Sequence, residues 1–135
     1  MEAGGKRKEL PVSSLPSQGS IIDIGKKTAE EYAKLISSAK TVMMNGPAGV
    51  YEKPEGGYGT KTILKAIEKS GAFSVFGGGH TLSALDKFKI DKSKLGYVSL
   101  AGKALIEYLS GEELPGVKIV EEAAPGGHSG CCGCC

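Results

Sequence analysis

At 135 residues the chain is expected to form one domain and is too short for a complete two-domain enzyme. Its 40% hydrophobic and 24% charged residues predict an aliphatic core with few aromatics, and 21 glycines without a triplet repeat exclude a collagen-like rod. A net charge of +2 offers no strong field for nucleic acid or a membrane surface, which leaves a small anion as the fitting partner.

The ends differ from the middle. Residues 1–19 mix Gly, Lys and Ser with Pro11 and Pro16, and residues 121–135 end in PGGHSGCCGCC; both read as flexible tails around a domain at 20–120. No apolar run reaches 18 residues and the start MEAGGKRKEL has no apolar leader, so neither a membrane span nor a secretory signal is expected and the cytoplasm is the default.

In chain order, Ile21 to Ile24 form a short apolar run read as a strand. Ala29, Tyr32, Ala33, Ile36 and Ala39 then recur at helical spacing, with Glu30 and Glu31 read as first-turn acids behind Thr28. Thr41 to Met44 predict a strand that stops at Asn45-Gly46-Pro47. Ile63, Leu64 and Ile67 predict a helix that stops at Gly71, and Ala72 to Phe76 a strand followed at once by Gly77-Gly78-Gly79. Leu82, Leu85 and Phe88 share a helix face, Tyr97 to Ser99 form a further strand, and Ala104, Leu105, Tyr108 and Leu109 form a helix capped by Gly111. Strand and helix thus alternate four times, which predicts an α/β fold: a parallel sheet with crossover helices, part of a Rossmann-like three-layer domain.

In such a sheet every strand-to-helix turn falls at the carboxyl edge, where ligands bind. Here those turns are Asn45-Gly46-Pro47-Ala48-Gly49, Gly77-Gly78-Gly79-His80-Thr81 and Leu100-Ala101-Gly102-Lys103. Glycines let backbone N–H groups approach an anion, and helix N-termini add unpaired donors and partial positive charge, so phosphate is the natural guest. A single such loop is more often only a tight turn; three in register favour a ligand. Neither G-x4-G-K-S/T nor G-x-G-x-x-G occurs.

At these residues the sequence resembles the carboxyl-terminal part of the phosphoglycerate kinase family. The collinear segments are IIDIGKKT (21–28), TVMMNGPAGVYE (41–52), GTKTILKAI (59–67), FGGGHT (76–81), KFKI (87–90) and YVSLAGKALIEYLSGEELPGV (97–117). The resemblance implies a nucleotide-binding part of a two-domain, hinge-bending glycolytic enzyme that moves a phosphoryl group between 1,3-bisphosphoglycerate and ADP with Mg2+. It implies that Asn45, Pro47, Gly49 and Val50 form the nucleotide loop, with Val50 against the purine, and that Glu52 accepts ribose hydroxyls. It further implies that Gly78, Gly79, His80 and Thr81 face the phosphates, with Gly78 and Gly79 nearest the chemistry. Taken alone, Val50 would read as a core residue and Glu52 as a solvated loop acid. No residue is assigned as a metal ligand.

The departures from the family pattern are specific. His80 stands where most members carry Asp, a change shared with archaeal-type members, and Lys26 replaces the proline of the DIGP turn. The closing TGGGA turn reads LAGKA, where Lys103 either faces a phosphate or is an exposed lysine. The only arginine is Arg7, so no basic patch for phosphoglycerate exists here. The resemblance therefore implies a half-site, inactive alone, either completed by a separate chain that supplies the amino-terminal domain or left over from a truncated gene; the alternative is a non-catalytic α/β binding or assembly module. Cys131, Cys132, Cys134 and Cys135 are the only cysteines and cannot staple the core. With His128 they offer soft-metal ligands but lack the gaps of ordinary zinc sites. The cluster also resembles a prenylation end and a biarsenical-dye tag, and an incidental or frame-altered tail remains a further reading.

Overall fold

The computed structural model describes residues 2–3 and 6–124, which fall into two compact units divided between Gly102 and Lys103. The first unit opens with a two-residue antiparallel ladder, β1 (Glu2–Ala3) against β2 (Lys6–Arg7). There follow α1 (Lys26–Ser38), β3 (Thr41–Asn45), α2 (Tyr58–Ser70), β4 (Phe73–Gly77), α3 (Gly79–Lys87) and β5 (Tyr97–Ser99). β3, β4 and β5 form a parallel sheet in that order, with Met43 opposite Val75 and Val75 opposite Tyr97. The fold is α/β, as the alternating pattern predicts.

Two expectations are corrected. Ile21–Ile24 forms no strand and bends at Asp23: the Ile22 carbonyl accepts Val50 N–H at 2.7 Å, and the Asp23 carboxylate accepts Ile24 N–H at 2.9 Å. The backbone groups of Ile22 and Ile24 are taken up by a loop and a side chain, so among the described residues the parallel sheet has three strands, not four. The first helix begins at Lys26, which moves Glu30 and Glu31 beyond its first turn. The acid near its N-terminus is Glu9, whose Oε2 accepts Lys26 N–H at 3.4 Å.

Strand alternation decides which face is buried. Val42, Met44, Phe76 and Val98 point towards α2 and α3, where Ile63, Leu64, Ile67, Ala84 and Leu85 complete one apolar cluster. α2 stops at Gly71, whose φ of +69° suits a left-handed cap. Met43, Phe73 and Tyr97 project from the opposite face and stay 45%, 57% and 56% exposed. A sheet that grows in one direction through right-handed crossovers carries its helices on one side, which accounts for this one-sided cover.

In the second unit, α4 (Lys103–Leu109) contains a Lys103–Glu107 ion pair of 3.1 Å, and Gly111 follows at φ +84°. The sequence pattern offers no expectation for α5 (Pro115–Ala123), which starts with proline in its first turn and runs across the expected tail boundary after residue 120. His128 and the cysteine cluster lie outside the described residues.

Candidate functional site

The pairing register brings the ends of the three parallel strands together: Asn45 opposite Gly77, and Gly77 opposite Ser99. The turns that leave them share one rim. A Cβ placed on Gly78 would meet Asn45 Oδ1 at 3.0 Å, and one on Gly102 would meet Gly78 Cα at 3.5 Å and Asn45 Oδ1 at 3.6 Å. Gly78 donates its N–H to the Ala101 carbonyl at 3.1 Å, joining the second turn to the third. Its φ of +89° and ψ of 142° exclude a side chain on conformational grounds as well.

Buried hydroxyls set the shape of the first turn. Gly46, at φ +91°, donates its N–H to Thr81 Oγ1 at 2.7 Å, and Ala48 N–H reaches Thr60 Oγ1 at 3.0 Å; both threonines are fully buried. Asp23 supports the base of the loop. Its Oδ2 accepts Gly59 N–H at 2.8 Å at the start of α2, and a Cβ on Gly49 would come 2.5 Å from its Oδ1. Glycine at 49 is therefore a packing requirement.

The residues singled out in the sequence divide by what the fold does with them. Asn45, Gly78 and Thr81 converge at the rim, with Thr81 acting through its hydroxyl on the loop backbone. Gly79 is exposed and opens α3, where helix geometry leaves the first-turn N–H groups of Gly79 and His80 without intrahelical acceptors. Pro47 continues the turn after Gly46, and Val50, 39% exposed, presents its side chain outward while its N–H is held by Ile22. Glu52 and His80 come from different turns and face each other, Oε1 to Nδ1, at 3.8 Å; both are exposed. Lys103 is exposed and paired with Glu107.

Asp23, Thr60 and Lys87 were missed in the sequence reading. Lys87 Nζ donates to the Glu52 carbonyl at 2.9 Å. For Asp23 a local signal existed: an acid between isoleucines and followed by Ile-Gly is out of place in a buried strand. Thr60 and Lys87 carry no such signal. Among the described residues no group of three or more His, Cys, Asp or Glu side chains could hold a metal ion.

Comparison with known proteins identifies the family and the fold. The phosphoglycerate kinase family model matches residues 1–112. The chain is 48% identical over 121 residues to phosphoglycerate kinase of Mannheimia succiniciproducens, covering 87% of this chain and 31% of that protein. It is 46% identical over 119 residues to phosphoglycerate kinase of Methanothermus fervidus, covering 88% and 28%. These bacterial and archaeal identities are too close to assign the chain to one branch. Among solved structures, phosphoglycerate kinase from Coxiella burnetii superposes with a TM-score of 0.70 at 45% identity, covering 79% of this chain and 27% of that one. The Pyrococcus horikoshii enzyme gives 0.69 at 40% identity, covering 77% and 25%. The chain thus spans about 30% of the length of the curated relatives it matches. With the family match running over residues 1–112, and so spanning all three rim turns, the chain belongs to the phosphoglycerate kinase family and corresponds to a part of its members' length.

Proposed function

We propose that this chain supplies the nucleotide side of a phosphoglycerate kinase site: it binds ATP or ADP at the rim and is inactive alone. One observation carries the reading: the Asn45 side-chain oxygen lies against both Gly78 and Gly102, so three glycine turns form a single cradle. The N–H groups of Gly79 and His80 at the start of α3 suit a phosphate, aided by the helix dipole. Gly78 and Gly79 lie nearest the group that would move. Val50 presents an apolar surface for the purine, and Glu52 offers carboxylate oxygens to ribose hydroxyls.

The residues fit a nucleotide better than they fit a directly bound Mg2+. Magnesium prefers an octahedron of oxygens, and the position after the triple glycine offers imidazole nitrogen, so any Mg2+ would arrive on the phosphate oxygens. The bound nucleotide supplies the phosphoryl group; this chain's residues orient it. Phosphoryl transfer depends on positioning and on cations that neutralise the moving charge. With Arg7 as their single arginine, residues 1–135 do not supply that cationic clamp, and the phosphoglycerate-binding part would have to come from outside them. The cytoplasm is the proposed compartment, in keeping with a glycolytic family; among the described residues no helix is long and apolar enough to cross a membrane.

Calorimetric titration with ADP, with and without Mg2+, tests the binding claim. Saturable binding supports it; no heat at millimolar ADP and Mg2+ overturns it and favours the non-catalytic module. A coupled assay tests the second claim, since turnover by this chain without a partner would overturn inactivity alone.

A further inference from the structure

Helix α3 touches the nucleotide loop from both of its ends. At its start His80 faces the Glu52 carboxylate. At its last residue Lys87 Nζ donates to the Glu52 carbonyl at 2.9 Å and stands 5.8 Å from the centre of the Tyr51 ring. Phe88 completes the contact: its ring meets Tyr51 edge-on at a centroid distance of 6.4 Å, and a Cβ on Gly57 would come 3.1 Å from Phe88 Cζ. Tyr51 is buried, whereas Glu52 extends its side chain into solvent. The peptide that follows Glu52 is thus held on both sides: its carbonyl by the exposed Lys87 ammonium beside the buried Tyr51 ring, and its N–H, from Lys53, by the Val50 carbonyl at 3.0 Å.

We infer that Lys87 is a positioning residue for the nucleoside end of the ligand, acting through the Glu52 peptide. The identity of the ligand rests on the proposed nucleotide reading; the contact itself does not. A lysine suits the place for two reasons. It makes a charge-assisted hydrogen bond to a carbonyl and a cation–π contact to a ring at once, and a cation in the last turn of α3 complements the helix dipole. The phosphate-facing amides lie at the opposite end of the helix, about 12 Å away at 1.5 Å per residue. Removing the ammonium group should therefore disturb ribose and base recognition and leave polyphosphate recognition intact.

The test compares ADP and inorganic tripolyphosphate by calorimetry on the full chain, its Lys87→Met variant and its Lys87→Arg variant. Amide hydrogen exchange is followed in each without ligand. The expected result for Lys87→Met is a loss of about fivefold to tenfold in ADP affinity with tripolyphosphate unchanged within about twofold, and substantial recovery in Lys87→Arg. Exchange should accelerate at residues 51–53 and stay unchanged at 78–80. Unaltered ADP affinity in Lys87→Met, or equal losses for both ligands, overturns the inference. If the parent chain binds neither ligand, the nucleotide reading fails and hydrogen exchange decides the rest: faster exchange confined to 51–53 upholds Lys87 as the anchor of the loop, and unchanged exchange there removes it.

Discussion

Replacing Asp23 with alanine should cost more stability than its partly exposed position suggests, because one carboxylate fastens three segments. Its Oδ2 accepts the Gly59 N–H at the start of α2, its Oδ1 accepts Ile24 N–H, and Gly49 packs against the same group. Gly59 is buried, so its N–H loses a charged acceptor without ready access to water, a loss of about 2 kcal/mol. The Ile24 bond is local and water can replace it, so it adds about 0.5 kcal/mol. The negative charge near the α2 N-terminus adds a similar amount. The sum is about 3 kcal/mol, a large share of the roughly 5–15 kcal/mol that holds a small domain. With a urea m-value of about 1.5 kcal/mol per molar, the midpoint should fall by about 2 M. Circular dichroism is the suitable probe because the chain has no tryptophan, and reductant is needed because of its four cysteines. Asp23→Asn keeps one acceptor oxygen and should lose about half as much. If the midpoint of Asp23→Ala stays within about 0.3 M of the parent, or if the alanine and asparagine variants coincide, the three-segment anchor is wrong.

Two further outcomes follow from local geometry. Gly78→Ala meets both a forbidden backbone region and Asn45 Oδ1 at 3.0 Å, whereas Gly71→Ala, at φ +69° with nothing within 4 Å, meets only the left-handed penalty. Thermal melts should therefore show a loss of about 2–3 kcal/mol for the first and about 1 kcal/mol for the second; equal losses would refute the crowding argument. Glu68 is held below its ordinary value of 4.5, first by the Asp91 N–H and then by Lys65. Its contribution to stability is present above 4.5 and is lost as pH falls through the lowered value, so Glu68→Gln should flatten the urea midpoint against pH on the acid side. A profile with unchanged acid slope would exclude Glu68 as a contributor.

The three sheet strands were legible because each is an apolar run ended by a local signal: Asn-Gly-Pro after β3, three glycines after β4, and Leu-Ala-Gly after β5. Ile21–Ile24 carries the same kind of run but a different fate. What decides it is a bond to Val50, 28 residues away, which no local pattern encodes. The start of α1 misled for a related reason: two lysines open it against the dipole, and the compensating acid, Glu9, is 17 residues upstream. In the site, the glycines were readable because conformation restricts them residue by residue. Thr60 and Lys87 were not, because each acts on backbone 12 or 35 residues distant; for Asp23 the local pattern marks the residue as out of place in a strand but not its partner Gly59, 36 residues on.

The same contacts explain how a sheet covered on one face can still shape a ligand rim. Every tie that sets the rim runs through the loop backbone or the covered side: Thr60 and Thr81 are fully buried, Asp23 lies under Gly49 and Gly59, and Gly78 bonds to Ala101. Met43, Phe73 and Tyr97 on the open face take part in none of them. Cover for that face governs how much apolar area is removed from water, and hence stability and association. The positions of Asn45, Gly78 and Gly102 depend instead on strand register and hydrogen bonds internal to residues 20–102. A segment of about 30% of its relatives' length therefore contains the determinants of its rim, and these are independent of whatever covers the second sheet face.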